Sequence, residues 1–90
     1  MFEKMKDYIG NQDLSVRRNG DEVFIICESD HEILVTAKSD LEKRNFKEHI
    51  DHDIHCACYG RDDVIVNISI ECMDCYEVLY DENNPDIELK

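Results

Sequence analysis

Gly60-Arg61-Asp62-Asp63-Val64-Ile65-Val66-Asn67-Ile68-Ser69-Ile70-Glu71-Cys72 is the stretch that decides the fold. Val64, Val66, Ile68 and Ile70 fall at every second position, the period of a strand with one buried face. Ahead of it, Gly60 to Asp63 reads as a turn and Ile54 to Tyr59 as a strand. Behind it, Cys72-Met73-Asp74-Cys75 marks a reversal and Tyr76 to Tyr80 a further strand. Strands joined by connections this short pair antiparallel, because a parallel pair needs a crossover of a dozen residues or more.

The same grammar extends toward the N-terminus. Ser39-Asp40-Leu41-Glu42 fits a capping box and predicts a helix to about Ile50, with Leu41, Phe46 and Ile50 as its apolar contacts. Glu32 to Ala37 and Val23 to Cys27 read as strands separated by a turn at Glu28 to His31. Asn19-Gly20 signals a hairpin back to Leu14-Ser15-Val16. Residues 2–9 read as a short helix with Phe2, Met5 and Ile9 on one stripe and Gly10 as its C-cap.

The order is therefore αβββ-αβββ. The expected class is α+β, a two-layer domain in which two helices pack on a mostly antiparallel sheet of about six strands. Residues 1–80 form the domain, with half-repeats at about 1–38 and 39–80. Residues 81–90 form an acidic tail, frayed or adding a short edge strand at Asp86 to Leu89. An internal repeat is suggested by Glu3-Lys4 against Glu42-Lys43, Gly20 against Gly60 and Val23 against Val64. The best match is Cys27, Glu32 and Leu34, which share their spacing with Cys72, Glu77 and Leu79.

Strand periodicity assigns Val23, Ile25, Cys27, Ile33, Val35, Val64, Val66, Ile68 and Ile70 to the core face. The opposite face still holds Phe24, Ile26, Leu34, Tyr59, Ile65 and Leu79. A second apolar face needs a cover, so a homodimer or a client-binding surface is expected there.

Charge narrows the function classes. The net charge is −12, and it is uneven: residues 1–61 carry 13 acids and nine bases, whereas residues 62–90 carry nine acids and Lys90 alone. Such a surface repels nucleic-acid phosphates and anionic membranes and suits a basic partner. Arg17-Arg18 and Lys43-Arg44 are isolated pairs, not a basic stripe, so no direct contact with nucleic acid is expected. No apolar run is long enough to span a bilayer, and Met1 to Asp7 has no signal-peptide pattern, which together with five cysteines kept as thiols predicts a cytoplasmic protein.

Chemistry-bearing motifs are few. Gly-rich phosphate loops, H-E-x-x-H and G-x-S-x-G are absent, and the expectation is no enzymatic activity. Cys72-Met73-Asp74-Cys75 has the spacing of a zinc knuckle, because two thiolates on one tight turn can share a tetrahedral ion. With a helix ending near residue 50, His49 and His52 lie about one turn apart and residue 52 falls roughly opposite residue 71. His49, His52, Cys72 and Cys75 are the candidate metal ligands, with Cys56 and Cys58 as alternatives on a strand. A redox role for the C-x-x-C is disfavoured, since it joins two strands among Glu71, Asp74 and Glu77, whose charges raise thiol pKa values.

The expectation carried forward is a non-catalytic, acidic protein-interaction module without a cofactor, inhibitor-like or a DNA mimic, acting on a basic nucleic-acid-binding partner. Its interaction residues are Phe24, Ile26, Leu34, Tyr59, Ile65 and Leu79 with Asp62, Asp63, Glu71, Asp74 and Glu77. The alternative is a small structural zinc-binding protein.

Overall fold

A computed structural model describes residues 2–87. Two helices, α1 (Phe2–Lys6) and α2 (Asp40–Lys47), accompany six strands: β1 (Leu14–Asn19), β2 (Glu22–Cys27), β3 (Glu32–Thr36), β4 (Ile54–Arg61), β5 (Val64–Cys72) and β6 (Glu77–Asn83). All pairings are antiparallel, in the order β3-β2-β1-β4-β5-β6. The α+β class and the six strands hold. The sheet curls about a single core, so that Val35 and Thr36 of β3 share a cavity of about 330 Å³ with Tyr80 and Glu82 of β6, the opposite edge.

The two three-stranded halves meet at a narrow waist. β1 and β4 share one ladder pair, Leu14 with Ile54. The chain before β1 extends the seam: the Gly10 amide donates to the Cys56 carbonyl at 2.8 Å and the Cys56 amide to that of Asn11 at 3.0 Å. Phe2, Met5 and Phe46 enter from the helices, and Leu14, Val16, Val23, Ile25, Ile54, Ile68 and Ile70 from the strands, to make one buried cluster. Tyr8, just past α1, joins them and donates its hydroxyl to Asp30 Oδ2 at 2.9 Å; burial and that acceptor push its pKa up to about 12.

Three bulges re-aim the side chains. Ile25 opposes Val35 while Ile26 opposes Ile33, which leaves Leu34 as an extra residue. Ile70 opposes Tyr80 while Glu71 opposes Val78, so Leu79 is extra; Tyr59 opposes Asn67 while Gly60 opposes Ile65, so Val66 is extra. A strict period of two fails beyond each bulge. Leu34, expected on the outer face, is 2% exposed, whereas Ile33 and Val64, expected in the core, are exposed. Ile65 and Leu79 pack against the core instead of lining a second face. What remains outside on β2 and β3 is a strip of Phe24, Ile26 and Ile33.

The outer hairpins share their geometry. Cys27 pairs with Glu32 and Cys72 with Glu77; four-residue turns follow each cysteine, closed by His31 N to Cys27 O and Tyr76 N to Cys72 O, both 2.8 Å. His31 and Tyr76 both adopt left-handed conformations, at φ 60° and 58°, and a bulge follows at Leu34 and at Leu79.

Several boundaries differ from expectation. α2 starts as predicted, with the Ser39 hydroxyl accepting from the Glu42 amide at 3.1 Å, but ends at Lys47, and Leu41 is exposed. The β1–β2 reversal is centred on Gly20-Asp21, since Asn19 pairs with Glu22. Gly20, at φ 61°, suits the first position of a type II′ turn. β6 continues to Asn83, beyond the strand end expected at Tyr80. Asp86 and Ile87 are in a turn and bend, and the rest of the edge strand expected there lies outside the described residues.

The β4–β5 turn is the costliest of the reversals. Asp62 and Asp63 both hold positive φ, 54° and 65°, the conformation for which hairpins favour Asn-Gly. Asp63→Gly is expected to stabilise the fold by about 0.5–1 kcal/mol, because the left-handed position no longer strains a Cβ. Urea titration of the two proteins measures the gain.

Candidate metal centre

The turn after α2 and the turn after β5 converge. The helix does not reach residue 50; its last turn tightens instead, with the amides of His49, Ile50 and His52 donating to carbonyls three residues back. Asp51, at φ 69°, then reverses the chain into β4. Two hydrogen bonds hold this loop to the cysteine turn: Met73 N to Asp53 O at 2.8 Å and Asp53 N to Asp74 Oδ2 at 2.9 Å. His52 is thereby set over Cys72 and Cys75.

One ligand atom from each of His49, His52, Cys72 and Cys75 lies within 4.8 Å of all the others. His52 Nδ1 is 3.4 Å from both Cys72 Sγ and Cys75 Sγ. A tetrahedral zinc with bonds of 2.0–2.1 Å to nitrogen and 2.3 Å to sulfur sets nitrogen–sulfur edges of about 3.6 Å. The observed spacing is close to that edge. A hydrogen-bonded arrangement would instead ask one nitrogen to serve both sulfurs, accepting from two thiols or sharing a single N–H between them.

His49 supplies the most telling feature. It is 2% exposed, and its Nδ1 is buried with no hydrogen-bond partner among the described residues. Buried nitrogen atoms left unpaired cost about 1–3 kcal/mol, so such an atom calls for a partner. Its other nitrogen, Nε2, faces Glu77 Oε2 at 3.3 Å. A carboxylate holding one imidazole nitrogen leaves the other free for a metal, the arrangement by which proteins orient a metal-binding histidine. The rings of His49 and His52 meet edge to face, with centroids 5.5 Å apart.

Electrostatics favour a cation. Partial burial, then Cys72, Glu77 and Asp74, raise the Cys75 thiol pKa. A coordinated divalent ion reverses that balance, because thiols bound to it are deprotonated outright. A raised Cys75 thiol runs against the lowered pKa on which redox C-x-x-C chemistry draws.

The alternative ligands stand apart. Cys56 pairs with Ile70 and Cys58 with Ile68, whereas Cys72 pairs with Ile54. The register sits three residues from the one expected: the hairpin turns at Asp62-Asp63 alone, which accounts for two, and the bulge at Val66 adds the third. Cys56 is buried in the core, and burial followed by Cys58 and Glu71 pushes its pKa up to about 11. Cys27 is also a core thiol, contacted by Ser29 Oγ at 3.3 Å and Asn11 Nδ2 at 3.7 Å. In its hairpin, Asp30 occupies the turn position that Cys75 holds in the other.

Of the expected interaction residues, Asp62, Asp63, Asp74, Glu77 and Tyr59 are exposed, Glu71, Phe24 and Ile26 are half-buried, and Leu34 is in the core. Glu77 was expected only as surface charge; its place beside His49 was not anticipated, and the one signal for it is an acid two residues beyond the knuckle. No helix among the described residues is long and apolar enough to cross a membrane. No family model, curated protein or solved structure matches the chain.

Proposed function

We propose that this chain is a small cytoplasmic, non-catalytic domain that holds one structural zinc ion on His49, His52, Cys72 and Cys75. The observation that carries the reading is that His49, whose buried Nδ1 has no partner among the described residues, is grouped with three further candidate ligands. Two nitrogens and two thiolates make a closed tetrahedral set, which leaves no open position for substrate and so suits a structural role. The ion would tie the α2–β4 loop to the β5–β6 turn. Native mass spectrometry of protein purified without chelator should show one zinc per chain. A metal-free chain after mixing with one equivalent of zinc and desalting would overturn the proposal. Glu77→Gln should weaken zinc binding about 10- to 100-fold without removing a ligand, measured by competition with a chromophoric chelator.

A second reading, a module for a basic partner, is favoured by the distribution of ion pairs. Among the described residues Lys and Arg form pairs as Lys4–Glu32, Lys6–Glu3 and Arg17–Glu28, none involving an acid beyond residue 61. The acids of β5 and β6 are thus left for an external cation, whether or not the partner is a nucleic-acid-binding protein that takes the domain for DNA. A homodimer would use the Phe24, Ile26 and Ile33 strip, and sedimentation equilibrium reports it. The shared hairpin geometry supports an αβββ repeat as part of the same proposal.

A further inference from the structure

A cavity of about 240 Å³ opens on β5 and β6 next to the cysteine turn, lined by Tyr59, Glu71, Cys72, Met73, Tyr76, Glu77 and Val78. Tyr59, Tyr76 and Val78 are 51%, 87% and 57% exposed, three of the most exposed large apolar side chains among the described residues. No lysine or arginine lines it. It is too small for a drug-sized ligand, whose pockets start near 300 Å³, but has room for one long side chain.

Its carboxylates are half engaged. Glu71 accepts from the Tyr59 hydroxyl and, at 3.0 Å, from Ser69 Oγ, both through Oε2. Glu77 meets His49 through Oε2. Each Oε1 is left without a recorded hydrogen bond among the described residues. Two phenol rings, a valine and two carboxylates together match a guanidinium, which stacks on aromatic faces while its fork of donors meets carboxylates. An ammonium, a point charge with stronger hydration, uses less of that surface.

We propose that this cleft is the docking site for an arginine side chain carried by a basic partner protein. The inference rests on the basic-partner reading and specifies where such a partner is read. The net charge of −12 attracts the partner, and Tyr59, Tyr76, Glu71 and Glu77 select arginine. Because the Cys72–Tyr76 turn forms one wall, whatever orders the cysteines also shapes the cleft.

The test is an amide-resolved NMR titration of the protein as purified, at physiological salt. The probes are a capped pentapeptide with a central arginine between two lysines and its three-lysine counterpart of equal charge. The arginine peptide should shift Tyr59, Glu71, Tyr76 and Val78 and bind several-fold more tightly than the lysine peptide. Tyr76→Ala, which changes no charge and removes an exposed ring, should weaken it about three- to tenfold. The double change Asp62→Asn, Asp63→Asn, at the far end of the β4–β5 hairpin, should alter it less than twofold. Equal binding of both peptides, with Asp62/Asp63 neutralisation as damaging as Tyr76→Ala, overturns the cleft and leaves diffuse attraction to a basic partner standing. No binding of either peptide even at low salt overturns both.

Discussion

Cys75→Ser should strip the zinc-loaded protein of about 4 kcal/mol of stability, a large loss for the replacement of one exposed sulfur. A ligand present at 1,000 times its dissociation constant stabilises the folded state by about 4.1 kcal/mol. For a domain of this size that corresponds to roughly 20 °C in melting temperature. An exposed side chain away from any special feature is normally worth no more than about 0.5 kcal/mol. Cys75 is exposed and fills no part of the core, so its replacement opens no cavity. A large loss can then come only through the metal. The measurement is thermal unfolding of wild type and Cys75→Ser, each with excess zinc and with chelator. Wild type should lose the 20 °C on chelation, and the variant should melt where chelated wild type melts. Because 17 apolar residues among those described are already buried in one cluster, the chelated chain is expected to stay folded, unlike a classical zinc finger. Equal melting points for wild type and variant in zinc would remove the metal from the fold. Cys56→Ser is not a substitute test, since that buried thiol packs in the core whatever the cysteine turn does.

The clustering of His49, His52, Cys72 and Cys75 was legible in the sequence because it depends on features that tolerate error. Cys72 and Cys75 are bound together by a turn, and His49 and His52 by the end of a helix, so a misplaced strand register still brings the two pairs together. The register was misplaced: Ile54, not a residue near 50, lies opposite Cys72. The face assignments had no such tolerance. Each of Leu34, Val66 and Leu79 inserts one residue into a ladder, and one residue exchanges inside for outside. A bulge leaves no trace in hydrophobic alternation, and a patch built on Leu34, Ile65 and Leu79 therefore dissolved into the core. The two bulges at Leu34 and Leu79 do follow the best of the spacing matches, Cys27-Glu32-Leu34 with Cys72-Glu77-Leu79. Reading that match as a shared turn and bulge, not only as a shared strand, would have buried Leu34 correctly. The role of Tyr8 was out of reach for a different reason. Its partner Asp30 is 22 residues away, and nothing local distinguishes Tyr8 from a solvated helix-end residue.

Gly60→Ala carries the other large effect. Gly60 sits in β4 opposite Ile65, at the point where β5 bulges around Val66. A methyl group built on Gly60 would collide with the Val64 carbonyl oxygen, and would stand 3.0 Å from the Val64 carbonyl carbon and 3.2 Å from Ile65 Cα. All three are backbone atoms, so no side-chain rotation relieves the contact. The strands must separate, which is the situation a strand glycine marks when another backbone approaches closely. The consequences spread along β5. Ile65 packs on the core, its carbonyl accepts from Asn84 Nδ2 at 2.8 Å, and the Val66 carbonyl accepts from the Asn84 amide at 2.8 Å. Opening the bulge therefore loosens an apolar contact and the anchor of the segment beyond β6 together. The loss should reach about 3 kcal/mol, the upper end of the range for overpacked sites, with faster amide exchange at Val64 to Val66 and Asn84. Gly20→Ala is the comparison that separates collision from backbone strain. Gly20 needs its positive φ, yet a Cβ there meets nothing within 4 Å, so that change should cost only about 1–2 kcal/mol and leave exchange in β5 untouched. If the two alanine variants prove equally stable, the close approach of β4 and β5 at Gly60 is not what shapes this hairpin.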